Sequence, residues 1–323
     1  MRASRERLVR DADATGFRPE VLEKALHLLT LLEGFNRHPF QRDRIALKGG
    51  TALNLFLLDL PRLSVDIDLN YIGALDLETM QAERPRLEEA IVAVCRREGL
   101  RVTRVPGEHA GGRFALRFDS GLGGDANLKL DINYMFRAPL WPSRRIDSHA
   151  LGRLKATGIP VLDLHELAAG KLAALLARHA SRDLFDAHQL LTTQQFERDR
   201  LRLAFVVYGA LNRKDWRTVS QSHVDFNLRE LRNELIPVLR RDREKDPIQS
   251  VKHLVETVRA ELGVVLPLAK KELAFLTRLL DGGEIQPTLI THDHELADKI
   301  AHHPGLLWKA LNVRRHKERS RRT

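Results

Sequence analysis

The chain has 323 residues and a mass of 36.8 kDa, a length that predicts about two domains. Hydrophobic residues make up 43% and charged residues 30%, which supplies a buried core and excludes a largely disordered chain. The formal net charge of +10 favours a polyanionic partner. No run of about 18 apolar residues occurs, no secretory signal is visible, and Cys95 is the single cysteine. We therefore expect a cytoplasmic protein with no membrane contact, no intrachain disulfide and no cysteine-built metal site.

Helices and short strands alternate in the first half of the chain. The segment 63–71 has apolar residues at odd positions up to 69 and polar residues at even positions, which predicts a half-buried strand. The predicted elements are, in chain order, a helix at 19–35, a strand at 44–48, a helix at 52–58, a strand at 63–71, a helix at 82–98, and strands at 100–105, 113–118 and 127–136. This order predicts an α+β domain with a mixed or antiparallel sheet.

The second half is almost entirely helical by its hydrophobic periodicity. Residues 159–163 are predicted to link the two halves. The predicted helices lie at 164–179, 183–191, 194–211, 226–241, 248–262 and 268–280. We therefore expect a catalytic domain over 1–155 and a helical bundle domain over 156–323.

Lys48, Gly49, Gly50 and Thr51 stand between a predicted strand and a predicted helix. Glycines at this position let backbone N–H groups approach a ligand closely, and the start of a helix favours an anion. The Thr51 hydroxyl can join the same cradle. A Gly-Gly-Thr sequence by itself is more often an ordinary turn, so a phosphate cradle needs support from neighbouring residues.

That support comes from carboxylates on the next predicted strand. Asp66 and Asp68 project from one face, with Cα atoms about 6.5–7 Å apart. Ser64 and Asn70 share this face, and the run contains no Lys or Arg, so a pair of cations that bridge a triphosphate explains it better than a solvated surface. Asp131, on the polar face of a later strand, is a candidate third carboxylate. The combination predicts nucleotidyl transfer.

Two other ligand-binding motifs are excluded by the residues present. Asp66, Asp68 and Asn70 match the first ligand positions of an EF-hand loop, but Tyr71 replaces its turn glycine and Leu77 its closing glutamate. A Walker-type P-loop is excluded because no Gly-Lys-Ser/Thr sequence occurs.

A second charged cluster is predicted in the helical half. Lys171 and Arg178 are seven residues apart and share a helix face, and Asp183 and Asp186 share one side of the next helix. These residues are either functional groups or ordinary helix-end chemistry. In the second interpretation Ser181 or Asp183 caps the helix and the ion pairs are intrahelical.

At this point residues 40–192 resemble the AbiEii/AbiGii-type toxins of the nucleotidyltransferase superfamily, which include the MenT toxins. The motifs that carry the resemblance are Gly49-Gly50-Thr51, Ser64-x-Asp66-x-Asp68, the strand of Asp131, the helix of Lys171, and Arg182-Asp183-Leu184-Phe185-Asp186. Thr51 replaces the Ser of many relatives and keeps the hydroxyl. The resemblance implies an N-terminal nucleotidyltransferase domain followed by a helical domain.

The resemblance also implies a role for each matched residue. Asp66 and Asp68 would hold metal, and Asp131 would polarise the attacking hydroxyl. Asp186 would be an essential carboxylate of the helical domain. The residues implied to bind nucleotide are Lys48, Gly49, Gly50, Thr51, Ser64 and Lys171. The implied cofactor is Mg²⁺ or Mn²⁺, and the implied donor is a nucleoside triphosphate.

The implied function is that of a toxin of a toxin–antitoxin or phage-defence system, with a cognate antitoxin protein. Such a toxin adds nucleotides to RNA, in particular to the 3′ end of tRNA, and so blocks translation. The alternatives are a nucleotidyltransferase that acts on a small molecule or a protein hydroxyl, and a non-catalytic nucleic-acid-binding protein. The last would be expected to have lost Asp66, Asp68 or Lys171, and all three are present.

Two further segments carry charge or metal-ligand residues. Residues 313–323 have a net charge of +5 and are either a polyanion-binding tail or a solvated terminus. A second basic set, Arg213, Lys214, Arg217, Arg240 and Arg241, is an alternative docking surface for RNA. A metal site is conceivable at His292, His294, His302 and His303, but Thr291-His-Asp-His-Glu is more simply a capped helix start.

Overall fold

A computed structural model describes residues 4–107, 110–241 and 247–320. The chain divides into two compact units. The first consists of Met1–Arg137, Pro142–Asp163 and Leu231–Pro247, and the second of Ala138–Trp141, Leu164–Glu230 and Ile248–Thr323. In the part of the chain that the structure describes, every helix is too short or too polar to cross a bilayer.

In its described residues, the first unit contains a seven-stranded mixed sheet and four α-helices. The helices are α1 (Arg5–Thr15), α2 (Pro19–Arg37), α3 (Gly49–Ala52) and α4 (Leu77–Arg97). The strands are β1 (Ile45–Lys48), β2 (Asp66–Tyr71), β3 (Arg101–Arg104), β4 (Gly111–Asp119), β5 (Asp125–Asn133), β6 (Arg144–Ile146) and β7 (Ile159–Val161). Their order in the sheet is β3-β4-β5-β2-β1-β7-β6. The predicted α+β class is therefore confirmed.

The apolar face of the sheet forms the core of this unit. Alternate residues of β2, β4 and β5 are buried on it, among them Ile67, Phe114 and Leu130. Helix α2 covers this face, since the ring of His27 lies 4.1 Å from that of Phe118. The polar residues of the same strands therefore lie on the opposite face.

Two short strands differ from the sequence prediction. Residues 159–163 are predicted as a link, but Ile159–Val161 is strand β7, which pairs parallel to β1 through Leu47 and Val161 and antiparallel to β6. Both strands have only three residues. A three-residue segment is too short for hydrophobic alternation to be recognised in the sequence. Whether it forms a strand therefore depends on its pairing with residues distant in the chain.

The second unit is helical, as predicted. Its helices are α5 (Leu164–Arg178), α6 (Ser181–Thr193), α7 (Arg198–Ala210), α8 (Leu228–Glu230), α9 (Pro247–Glu261), α10 (Lys270–Thr277), α11 (His294–Ala301) and α12 (Pro304–Ser320). Helix α11 begins after Asp293, whose side chain accepts a hydrogen bond from Leu296 N at 3.0 Å. This is the capped helix start predicted for the histidine-rich segment.

The helix predicted at 226–241 is wrong. Helix α8 passes into a π-helical turn at Leu231–Leu235 and a 3₁₀ turn at Ile236–Val238, because Pro237 cannot continue an α-helix. The segment from Leu231 onward belongs to the first unit, where Val238 O accepts a hydrogen bond from Leu63 N at 2.9 Å.

Candidate active site

The glycine cradle forms where β1 passes into α3. Gly49 has φ = +70°, a left-handed conformation that favours glycine. A Cβ atom at this position would lie 2.2 Å from Asp68 Oδ2, so the carboxylate packs directly against the start of the helix. Gly49 is therefore required both by its backbone conformation and by its contact with Asp68.

A buried arginine lies behind the second glycine. A Cβ atom at Gly50 would be 2.8 Å from Arg62 Nη2 and 3.4 Å from Ser64 Oγ. Arg62 is only 3% exposed, and its Nη1 donates to Leu63 O at 2.9 Å. Arg62 belongs to none of the motifs predicted from the sequence. The signal that could have found it is an arginine just before an acidic strand, in an otherwise apolar segment.

The Thr51 hydroxyl holds the cradle to β2. Thr51 is buried, and its Oγ1 donates to the main-chain oxygen of Asp66. Asn54 Nδ2 donates to Gly50 O at 2.9 Å. These bonds fix α3 and the turn that follows it relative to the carboxylate strand. A direct contact of Thr51 with nucleotide stays a prediction.

Four charged side chains form a row across the centre of the sheet. Lys48 on β1 pairs with Asp68 on β2, Asp68 with Asp131 on β5, and Asp131 with Arg113 on β4. Residues paired across neighbouring strands share a face, with backbones about 4.8 Å apart. The row therefore places a cation at each end and two carboxylates in the middle. Asp66 lies on the same face, opposite Lys129.

The outer cations of the row are in unlike environments. Burial lowers the pKa of the Lys48 ammonium, while Asp68 and Asp131 act in the opposite direction. Arg113 makes a bidentate ion pair with Asp131, with Nε to Oδ1 at 2.9 Å and Nη2 to Oδ2 at 2.8 Å. Its hydrogen bond to Asp131 raises the pKa of Arg113, and the charges of Asp66 and Asp68 add to the effect. The guanidinium thus stands in the field of all three acids.

The row lines an open cleft of about 520 Å³ whose wall includes Lys48, Asp68, Arg113 and Asp131. The cleft can hold a nucleotide-sized ligand. Gly111 and Gly112 form another part of its wall. A Cβ atom at Gly111 would lie 2.0 Å from Ile132 O, so β4 can pair this closely with β5 only through a glycine.

The carboxylates fit a divalent cation in their chemistry and their placement on one face. Hard cations such as Mg²⁺ take oxygen ligands of the kind that Asp66, Asp68 and Asp131 supply. Among the described residues, however, no three His, Cys, Asp or Glu side chains are grouped as a metal site. Among these residues, neither the three aspartates nor the four histidines form such a group. Asp131 is instead paired with Arg113. The histidine hypothesis therefore gains no support.

The second predicted cluster forms within the helical unit. Lys171 Nζ lies 2.8 Å from Asp183 Oδ1 and 2.9 Å from Asp186 Oδ2. Arg178 Nε lies 2.6 Å from Asp183 Oδ2. Burial acts to raise the pKa of Asp183, but the charge of Lys171 and the hydrogen bond from Arg178 outweigh it, so the pKa is lowered. Lys171 is 8% exposed and both aspartates are buried.

The helix-end interpretation of this cluster is wrong. Helix α6 begins after Ala180, which makes no side-chain capping bond. The ion pairs of Lys171 join α5 to α6 and are not intrahelical. The structure therefore brings together Lys48, Asp66, Asp68, Asp131 and the cradle in one unit, and Lys171, Asp183 and Asp186 in the other.

A carboxylate strand beside a glycine cradle, with a buried lysine–aspartate cluster in the helical unit, is the arrangement that the sequence motifs predict for a nucleotidyltransferase. Residues 30–261 match the family model described as "Nucleotidyl transferase AbiEii toxin, Type IV TA system". The match covers more than half of the chain, which therefore belongs to the AbiEii family of nucleotidyltransferase toxins.

A solved structure agrees with this assignment at the level of the fold. The chain is similar to MenT4, the nucleotidyltransferase toxin Rv2826c from Mycobacterium tuberculosis H37Rv, with a TM-score of 0.61 and 18% sequence identity. The similarity covers 94% of this chain and 99% of MenT4. No match was found among curated protein sequences. The protein is a nucleotidyltransferase, and membership of a toxin–antitoxin family implies a cognate antitoxin.

Proposed function

We propose that this toxin uses Mg²⁺ to transfer nucleotides from a nucleoside triphosphate to the 3′ end of an RNA. The acceptor is tRNA, and the addition of nucleotides to its 3′ end blocks translation. The row Lys48–Asp68–Asp131–Arg113 carries the proposal. Two carboxylates directly opposite each other repel and destabilise a sheet, so a sequence that keeps them there gains something else from them. Here the two carboxylates would bind a divalent cation that also contacts the donor phosphates, and this binding is what the sequence gains.

Asp66 and Asp68 would hold Mg²⁺ or Mn²⁺, which supplies neutralisation of the charge on the reacting phosphate. Asp131 would accept the proton of the acceptor hydroxyl. The backbone of the cradle and Ser64 would bind the donor phosphates. Gly49 supports this role because the absence of a side chain lets the Asp68 carboxylate lie directly against the start of α3.

Lys171 would contact the donor triphosphate, as the family resemblance implies. Its ammonium is fixed by Asp183 and Asp186, which are themselves rigid parts of α6. A lysine side chain held by two buried carboxylates cannot rotate freely, so the position of its ammonium group is fixed. Asp186 would serve as a positioning residue for Lys171, and its 2.9 Å contact is the observation that favours this role.

RNA would bind to the basic end of α12. Arg314, Arg315, Lys317 and Arg319 are exposed there, while Arg321 and Arg322 lie outside the described residues. Trp308, at 58% exposed, stands earlier on the same helix. Basic side chains near an exposed aromatic ring suit a phosphate backbone with stacked bases.

Three of the five members of the alternative basic surface are less suited to RNA because they have acidic or internal partners. Arg217 lies 2.6 Å from Asp215 and 2.7 Å from Asp281. Arg241 lies 3.2 Å from Asp13, and Lys214 Nζ donates to Leu176 O at 3.3 Å.

The test is incubation of the protein and total RNA with each labelled nucleoside triphosphate and Mg²⁺. Label in a tRNA-sized band, lost after EDTA or with Asp68→Asn, supports the proposal. Label in a small molecule or a protein with none in RNA would overturn the assignment of the acceptor. No label in any fraction with any triphosphate would overturn the proposed reaction itself.

A further inference from the structure

Arg113 is the one member of the charged row that neither the sequence motifs nor the proposed reaction uses. It lies on β4, directly opposite Asp131, and binds both oxygens of that carboxylate. Asp131 is the acid proposed to accept the acceptor proton. In the structure both oxygens of that acid are bound by the Arg113 guanidinium.

The charges around Arg113 identify what it competes with. Asp131 lies directly opposite Asp68 on the neighbouring strand, and Asp66 is on the same face, so the guanidinium stands beside the acids that would hold a cation. Two like charges exclude each other from one group of carboxylates.

The ion pair is built so that it can exchange partners. Arg113 is 49% exposed and Asp131 33% exposed, so water screens their attraction. Exposed ion pairs contribute little net free energy and break readily. A guanidinium also matches the oxygens of a phosphate as well as it matches those of a carboxylate. A phosphate entering the cleft therefore offers Arg113 an equivalent partner.

We propose that Arg113 exchanges ion-pair partners when the donor binds. It holds the Asp131 carboxylate in the nucleotide-free protein and moves to the donor phosphates when a nucleoside triphosphate enters the cleft. This inference rests on the proposed function, since it needs a triphosphate in the cleft. Its consequence is that the three acids are free to act together only when the donor is present. The toxin then avoids holding a divalent cation without substrate.

Arg117 provides a matched control on the same strand. It is four residues further along β4 and on the same face, and its side chain is also 49% exposed. It pairs with an acid as well, with Nη1 at 3.5 Å from Asp125 Oδ2. Arg117 therefore repeats the residue type and the exposure of Arg113, but its pairing is a single longer contact with a carboxylate outside the charged row.

The first measurement is calorimetric titration of the nucleotide-free protein with Mn²⁺. Arg113→Gln removes a positive charge from beside three carboxylates, so we expect Mn²⁺ to bind about fivefold more tightly than to the unsubstituted protein. Arg117→Gln should leave this affinity unchanged. The thermal unfolding midpoints of both variants should stay close to that of the parent chain because both ion pairs are half-exposed.

The second measurement is the affinity for a nucleoside triphosphate analogue with a methylene group between the α and β phosphorus atoms, at constant Mg²⁺. Arg113→Gln should bind it about tenfold more weakly, because the phosphates have one charged hydrogen-bonding partner fewer. Arg113→Lys should recover part of the affinity, since it restores the charge without the forked geometry. Arg117→Gln should again behave as the parent chain.

The proposal requires opposite changes, with tighter Mn²⁺ binding and weaker nucleotide binding in the same variant. Equal affinities in Arg113→Gln and the parent chain, or a loss of both, would overturn it. If the unsubstituted protein binds no nucleotide analogue and labels no acceptor, the proposed function fails. If it binds and labels normally while Arg113→Gln matches it in both titrations, only the role of Arg113 fails.

Discussion

The charged row of the sheet and the lysine–aspartate cluster of the helical unit differ most in burial. In the sheet, Arg113 and Asp131 are paired at 2.8–2.9 Å and both are substantially exposed. Between α5 and α6, Lys171 is held at similar distances by Asp183 and Asp186, but all three are buried. The same geometry therefore has different consequences. The exposed pair can exchange partners at little cost, whereas breaking the buried cluster leaves an uncompensated charge.

The largest effect is expected on activity, from the acids of the sheet. Asp68→Ala should lower nucleotidyl transfer by at least about 10³-fold, because the charge developing on the phosphate loses its stabilisation. Stability should be little changed, since the substitution removes an acid that repels Asp131 across the strands. The measurements are initial rates and thermal unfolding. Asp125→Ala, on the same face of β5 but outside the row, should keep full activity, and an active Asp68→Ala would refute the metal assignment.

The buried cluster should respond in the opposite way, with a large loss of stability. Lys171→Met keeps the length of the side chain but leaves Asp183 and Asp186 without their shared cation, which should cost about 3–5 kcal/mol in the free energy of unfolding. Denaturant titration measures this loss. Lys171→Met combined with Asp186→Asn should recover part of it, because fewer buried charges remain unpaired. A free energy of unfolding equal to that of the parent chain would contradict the expected cost of leaving these buried charges unpaired.

The two units should also differ in their response to acid. Burial lowers the pKa of His27, in α2 of the sheet unit, to about 4. Its unfolded form takes up a proton first, so its contribution is complete above pH 6.5 and up to about 3 kcal/mol is lost as the pH falls to 4. Asp183 has a lowered pKa, so its contribution is lost only as the pH falls below about 4.

Amide hydrogen exchange at several pH values can separate these two windows. Protection in α2 should decline between pH 6.5 and 4, while that in α6 should persist to lower pH. His27→Leu should flatten the decline in α2 without altering α6. Equal pH dependence of the two helices in the parent chain would show that these residues do not set the acid stability of their units.

The smallest effect is expected at the exposed end of α12. Replacing Arg315, Lys317 and Arg319 together by Gln should lower the slope of log affinity for RNA against log salt by roughly 0.7–0.9 for each phosphate that the helix no longer neutralises. Transfer at saturating RNA should be unchanged. Glu318→Gln is the opposing control, since removal of an acid from this segment should strengthen RNA binding. An unchanged slope in the triple variant would place the RNA-binding surface elsewhere.

The local patterns of the sequence were sufficient to predict most helices and strands and to place the two carboxylates on one strand face. Alternation over 63–71 identified β2 and placed Asp66 and Asp68 on one face, because the side-chain period of a strand depends only on the strand itself. The glycine cradle and the helices of the second half follow from equally local signals. The roles assigned to the matched residues came from the family resemblance and stay predictions until the variants are measured.

Only the tertiary structure decided which charged residues meet. Pairing of β2 with β5, and of β5 with β4, sets Asp68 beside Asp131 and Asp131 beside Arg113. The packing of α5 on α6 turned Lys171, Asp183 and Asp186 into one buried cluster. The periodicity of residues 226–241 is typical of a helix, yet Pro237 and the hydrogen bond between Leu63 and Val238 bring this segment to the sheet unit. Strand register and helix packing join residues distant in the chain, and a one-residue shift in register would have separated these side chains.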